Sequence, residues 1–142
     1  MNYTIQSAGG VASRVQIGPH TLIFDQPASF GGGDAGPSPL DVLVATVGAC
    51  AHYFAAAFLR ARQYPVDGLE VRIVGDKAAV GRKRLLRVTI SVRLPPGVPA
   101  ALAPRVEQAV LACPAWGTLA EAPELGLEVV ATGGEEIGTP LA

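Results

Sequence analysis

From Val42 to Leu59 the chain carries no charged side chain, a run about as long as the shortest membrane-spanning helices, roughly 18 residues. This stretch limits the possible folds more than any other. It begins like a helix. Ser38 is a favourable N-cap, Pro39 suits the first helical position, and Asp41 stands three residues after the cap in a capping-box arrangement. Nothing breaks the pattern before Tyr64-Pro65, so a helix is predicted over residues 39–63. His52 near its middle, the small residues Ala45, Gly48, Ala49, Ala51 and Ala55–Ala57, and the lack of a second apolar run argue against a membrane span. A helix apolar on all sides is also what a central helix packed on several neighbours requires, and a buried core helix is the expectation.

Strands are predicted on both sides of this helix. Residues 2–7, 11–17 and 20–25 are short, rich in Val, Ile and Thr, and separated by Gly9-Gly10 and Gly18-Pro19. Residues 30–37, with three consecutive glycines, read as a flexible connector, since the Lys and Ser/Thr of a phosphate-binding loop are absent. After the helix, Leu69, Val71 and Ile73 alternate with polar residues, as do Leu86, Val88, Ile90, Val92 and Leu94, with 75–84 as the connection. A helix over 104–112, a short helical turn over 115–121 and a last strand over 126–132 complete the reading, with a frayed tail from Gly133. Strand runs separated by few helices predict an α+β fold, antiparallel strands around a long central helix, rather than a doubly wound sheet. The 142 residues fit one domain, 1–142.

Only 16% of the residues are charged, against a usual share of about 25%. Such thin polar cover predicts a subunit interface. The net charge of −1, from 11 Lys and Arg against 12 Asp and Glu, provides no electrostatic footprint for nucleic acid or an anionic membrane. No export signal is visible at the N-terminus, which predicts a cytoplasmic protein. In that compartment two cysteines are more often catalytic or metal-bound than a permanent bridge.

The two are Cys50 and Cys113. A thiol attacks only as thiolate, and its unperturbed pKa of about 8.5 leaves most of it protonated at neutral pH. Cys50 lies mid-helix, beyond reach of the helix N-terminal dipole, which fades within a turn. To act it needs a cation from elsewhere. His52, two positions away, points to another side of the helix. Arg14 is the only Arg or Lys before the helix. On the residues alone, packing and chemistry both remain open for each cysteine, because free cysteine is among the most buried residue types. A metal site with His20 and His52 fits no usual ligand spacing, and neither histidine has a motif placing it beside Cys50 for hydrolase chemistry. No metal or cofactor is expected.

The segment Gly36-Pro37-Ser38-Pro39-Leu40-Asp41-Val42-Leu43-Val44-Ala45-Thr46-Val47-Gly48-Ala49-Cys50 resembles the stretch that opens the central helix of the OsmC/Ohr family and ends in its reactive cysteine. Cys113-Pro114-Ala115-Trp116-Gly117-Thr118-Leu119 resembles that family's second cysteine motif, usually Cys-Pro-Val-His followed by Thr-Leu. The resemblance implies a swapped α+β homodimer with two active sites at its interface. It implies that Cys50 reduces an organic hydroperoxide or hydrogen peroxide, that Cys113 captures the sulfenic acid as a disulfide, and that a dithiol of the dihydrolipoamide sort, or another thiol, restores the pair. The family also uses an N-terminal Arg and a Glu ahead of the first Cys, which maps the catalytic set onto Cys50, Cys113, Arg14 and Asp41. The match is offset: the Ohr-like Glu would fall on Leu40, the Gly-Gly-Arg spacing on Val11, and Trp116 stands where His is usual. These differences resemble the OsmC-like branch. The alternative they imply is a dimer that keeps the fold and binds a small apolar ligand at the interface without turning over peroxide.

Overall fold

The computed structural model describes residues 1–81 and 83–130. The architecture is α+β with antiparallel strands and a long central helix. Three short strands come first: β1 (Ile5–Ser7), β2 (Ser13–Ile17) and β3 (His20–Phe24), paired antiparallel in the order β1-β2-β3. Ile17 pairs with His20, so Gly18 and Pro19 form a two-residue turn, and Gly18 (φ 58°) supplies the positive dihedral such turns need. Helix α1 (Pro39–Arg60) follows, then the hairpin of β4 (Glu70–Lys77) and β5 (Leu85–Arg93), then α2 (Ala103–Leu111) and α3 (Pro114–Ala120).

α1 starts where the local chemistry predicts. The Ser38 hydroxyl accepts from the Asp41 amide (3.3 Å) and donates to Asp41 Oδ2 (2.6 Å), with Pro39 in the first turn. The helix stops at Arg60, three residues short of the expected end.

The core lies between α1, the β4–β5 hairpin and α2. Ala51, Ala55 and Leu59 of α1 are fully buried against Leu69, Val106 and Val110. Small residues let helix and sheet approach closely. A Cβ on Gly48 would stand 3.0 Å from Ile73 Cγ2, and one on Gly75 would stand 3.0 Å from Val44 Cγ2. Gly75 is therefore a packing residue within β4, which runs on to Lys77. The expected connection from residue 75 starts too early for that reason. A bulge at Leu86 accounts for a second difference. Asp76 pairs with Arg87 and Lys77 with Leu85, so Leu86 is the unpaired extra residue. It turns outward, 57% exposed, and Leu85 takes the inner face.

The expectation of a helix buried on every side fails within one subunit. β4, β5, α2 and α3 pack on α1, but Leu43, Ala45, Ala49, Tyr53 and Ala57 remain exposed. By length and composition alone α1 could cross a membrane; its neighbours instead cover one face, as in a folded domain. The N-terminal sheet is similarly uncovered. Val15 is its one buried apolar residue, while Tyr3, Ile5, Ile17 and Leu22 face outward.

The segment read as a flexible connector is organised by a single buried carboxylate. Asp25, 3% exposed, accepts hydrogen bonds from the amides of Gln26 (2.8 Å), Gly33 (3.0 Å) and Ala35 (3.0 Å). A 3-10 turn at Ala28–Phe30 sits inside this loop. Gly32 must be glycine, because a Cβ there would collide with the Gln26 carbonyl oxygen. The strand expected over 126–132 does not form in its described part. Residues 126–129 are irregular and Val130 makes an isolated bridge. Leu125, Leu127 and Val129 alternate but stay exposed, and alternation orders a strand only where one face has something to pack on. Residues 131–132 and the tail from Gly133 lie outside the described residues.

Candidate active site

α1 carries Cys50 on the side that meets α2 and α3. Val47 and Ala51 flank it and are buried, while Cys50 itself is partly exposed. Cys113 occupies the joint between α2 and α3. Its amide donates to Val110 O (3.0 Å), closing α2, and its carbonyl accepts from the Gly117 amide (3.0 Å), opening α3. Pro114 then takes the first position of the short helix, where a missing N–H costs nothing. This main-chain lock holds the Cys113 side chain inward, at 1% exposure.

Residues remote in sequence are thereby brought together: the Cys50 and Cys113 side chains stand beside each other as free thiols. Burial pushes the Cys113 thiol up from its ordinary value, and the adjacent Cys50 adds to this. The main-chain amides of Trp116 and Ala115 work in the opposite direction. Burial dominates because few polar groups replace the water that a thiolate loses.

Arg14 and Asp41 do not join the pair within one subunit. Arg14 is exposed on β2, lining a surface depression with Asn2, Tyr3, Gln6 and Thr21; the N-terminal sheet is not among the elements packed along α1. Asp41 lies nine residues before Cys50 on the same helix, about 13 Å along its axis. Its carboxylate is held by Ser38 and by Lys77 Nζ at 3.0 Å. The Ser38 hydroxyl first, and then Lys77, keep it below the usual carboxylate range. The structure thus makes Asp41 a helix cap and ion-pair partner. Among the described residues the hydrogen bonds from Lys and Arg side chains run from Lys77 to Asp41, Arg93 to Glu70 and Arg62 to the Phe58 carbonyl, none to a sulfur. No three His, Cys, Asp or Glu side chains converge as metal ligands among the described residues; His20 and His52 are both exposed.

In the sequence Trp116 stands out only as a departure from a motif. The structure makes it a wall. Half-buried on α3, it lines an apolar groove of about 280 Å³ with Ile90, Val92, Leu94, Val106 and Val110. It also borders a second groove, about 270 Å³, beside Leu85, Val88 and Leu119. Its place three residues after Cys113, at the start of a helix, was the available signal.

Comparison with known proteins gives the same frame. A family described as OsmC-like protein matches residues 31–128, a span that includes both cysteines. No curated protein matches in sequence. Among solved structures, an osmotic stress induced and detoxification response protein from Psychrobacter arcticus superposes with a TM-score of 0.73 at 17% identity, covering 83% of this chain and 87% of that one. An OsmC-like protein from Mycoplasma pneumoniae gives 0.68 at 17% identity, over 86% and 89% of the two chains. An organic hydroperoxide resistance protein OsmC from Legionella pneumophila gives 0.59 at 16% identity, over 85% and 90%. At such identities the likeness carries the fold.

Proposed function

The chain belongs to the OsmC-like protein family, and on that premise we propose that it reduces organic hydroperoxides or hydrogen peroxide by a two-cysteine mechanism. The observation that carries this reading is the juxtaposition of Cys50 and Cys113 with unequal exposure. The partly exposed Cys50 can meet a peroxide, and the buried Cys113 is in place to capture the product. The name of the Legionella relative, an organic hydroperoxide resistance protein, is in keeping with this reading.

The Cys50 thiolate attacks one peroxide oxygen and the O–O bond breaks. The other oxygen leaves as alcohol or water after taking a proton, and Cys50 becomes a sulfenic acid. The Cys113 sulfur then attacks the Cys50 sulfur, water departs, and a disulfide remains. A dithiol of the dihydrolipoamide class, or another cellular thiol, returns both cysteines to thiols. In this reading the protein works as a cytoplasmic homodimer. The open face of α1 and the uncovered apolar side chains of the N-terminal sheet support that assembly. A second subunit laying its N-terminal sheet across the first would bring in Arg14, the candidate activator of Cys50.

A peroxide-consumption assay with a dithiol reductant tests the proposal. Turnover is expected with the wild-type protein and none with Cys50→Ser. Without external thiol both the wild type and Cys113→Ser should consume about one equivalent, the first ending as a disulfide and the second as a sulfenic acid on Cys50. Absence of turnover with both hydrogen peroxide and an organic hydroperoxide would overturn it. The apolar groove beside Trp116, together with the distance of Arg14 from the thiols within one subunit, favours a second reading: a dimer binding a small apolar ligand without turnover.

A further inference from the structure

We infer that, once the disulfide has formed, the recycling dithiol attacks the sulfur of Cys50 and expels Cys113, so that the mixed disulfide with the reductant is carried by Cys50. This rests on the two-cysteine reading above and concerns a choice that reading leaves open, since either sulfur of a disulfide can accept a thiolate.

Displacement at sulfur is in line: the incoming thiolate, the attacked sulfur and the leaving sulfur lie near one axis, so access behind the attacked atom decides the outcome. Behind Cys113 lies protein. The residue is 1% exposed, held inward by the hydrogen bonds its backbone makes to Val110 and Gly117, with the buried Val110 three residues before it. Reaching its sulfur from the side opposite Cys50 would require opening the joint between α2 and α3. Cys50 is partly exposed where Cys113 is not, so a thiol can approach its sulfur without opening that joint.

The leaving side works against this direction, because burial raises the Cys113 thiol and a sulfur of higher pKa leaves more slowly. The amides of Trp116 and Ala115 offset part of that cost, and access carries the inference. Electrons and atoms balance at each step. The reductant's first thiolate forms a bond to Cys50 Sγ, the Cys50–Cys113 bond breaks, and Cys113 leaves with the electron pair and takes up a proton. The reductant's second thiolate then attacks the reductant's own sulfur in the mixed disulfide. Cys50 is released as a thiolate, and the reductant departs as a cyclic disulfide. One molecule of a dithiol completes this sequence alone, whereas one molecule of a monothiol halts at the mixed disulfide until a second attacks it.

That halt provides the test. The full-length protein is oxidised with diamide, which forms the disulfide without peroxide, then exposed briefly to glutathione and quenched with acid. Free thiols are alkylated with N-ethylmaleimide under denaturing conditions, and both cysteine-containing peptides are read by mass spectrometry. Glutathione on Cys50 with maleimide on Cys113, in excess of about ten to one over the reverse pattern, is expected. The reverse pattern, or an even mixture, would overturn the inference, as would failure of diamide to link the two cysteines. Peroxide consumption measured in parallel separates the two claims. Selective exchange at Cys50 without any peroxide turnover would sink the proposed function while leaving the direction of exchange intact.

Discussion

Lys77 Nζ lies 3.0 Å from Asp41 Oδ1, tying the last residue of β4 to the first turn of α1. Both side chains are more than half exposed, so the ion pair alone contributes at most about 1 kcal/mol. The Ser38 hydroxyl on the other carboxylate oxygen adds the capping part. Asp41→Asn should lower unfolding stability by about 0.5–1.5 kcal/mol in a urea titration and leave the alkylation rate of Cys50 unchanged. Because the folded carboxyl titrates below its ordinary value, its contribution is present above about pH 4 and fades as pH falls through the lowered value. The variant should therefore have a flatter acid limb. A large loss of thiol reactivity in Asp41→Asn would instead place the residue in the active site.

Asp25 organises the glycine-rich loop. Three amides converge on its carboxylate, those of Ala35 and Gln26 acting most strongly to hold it below the usual range. Asp25→Ala should raise amide exchange at Gly33 and Ala35 by at least about tenfold, with α2 and α3 unaffected. In the wild type the same amides should lose protection as pH falls below about 4, since protonation removes the acceptor charge that holds them. Exchange rates indifferent to this substitution would contradict the assigned role.

The cap at Ser38, the turn at Gly18-Pro19 and the alternation in β5 were legible because each is a local signal carried by adjacent residues. The role of Asp25 was not, since an acid at a strand end looks alike whether its partners are water or amides eight and ten residues away. Leu86 misled for a related reason: alternation suggested one inward face, and only the register against β4 reveals the bulge. The cysteine pair was legible through resemblance to a family and not through spacing. Their unequal burial depends on how α2 and α3 join, which no local pattern encodes.

Gly48 tests how closely α1 and β4 must approach. An added Cβ meets Ile73 Cγ2 at 3.0 Å, so Gly48→Ala sets a helix-propensity gain of up to about 1 kcal/mol against crowding. Gly48→Val adds two further methyl groups with no room to turn. It should lose about 1–3 kcal/mol by the usual cost of overpacking, measured as a lower denaturation midpoint. An unchanged midpoint would show that α1 and β4 can separate freely.

The two thiols should label at different rates. In the native protein at neutral pH, iodoacetamide is expected to modify Cys50 at least about tenfold faster than Cys113, because a buried thiol with a raised pKa offers little thiolate. Labelling of Cys113 should climb only at pH above the range of an ordinary thiol. The unfolded chain releases that proton at lower pH than the fold does. Stability from this group is therefore intact below the ordinary thiol value and declines as pH rises towards the raised one. Equal labelling rates would remove the asymmetry on which the direction of exchange depends.

The last prediction concerns Arg14. Within one subunit it sits exposed on β2, away from Cys50, and the N-terminal sheet leaves Tyr3, Ile5, Ile17 and Leu22 uncovered. α1 presents a complementary need, with Leu43 and Tyr53 exposed at 45% and 66%. If a second copy satisfies both, its Arg14 reaches the first copy's thiol. Arg14→Ala and Cys50→Ser homodimers should then each be inactive. A heterodimer of the two variants pairs an intact Cys50 in one subunit with an intact Arg14 in the other, and should recover up to about half the wild-type peroxide turnover. Arg14 acting within its own subunit predicts no recovery, because neither chain then holds both residues. Full activity of the Arg14→Ala homodimer would remove the arginine from the mechanism altogether.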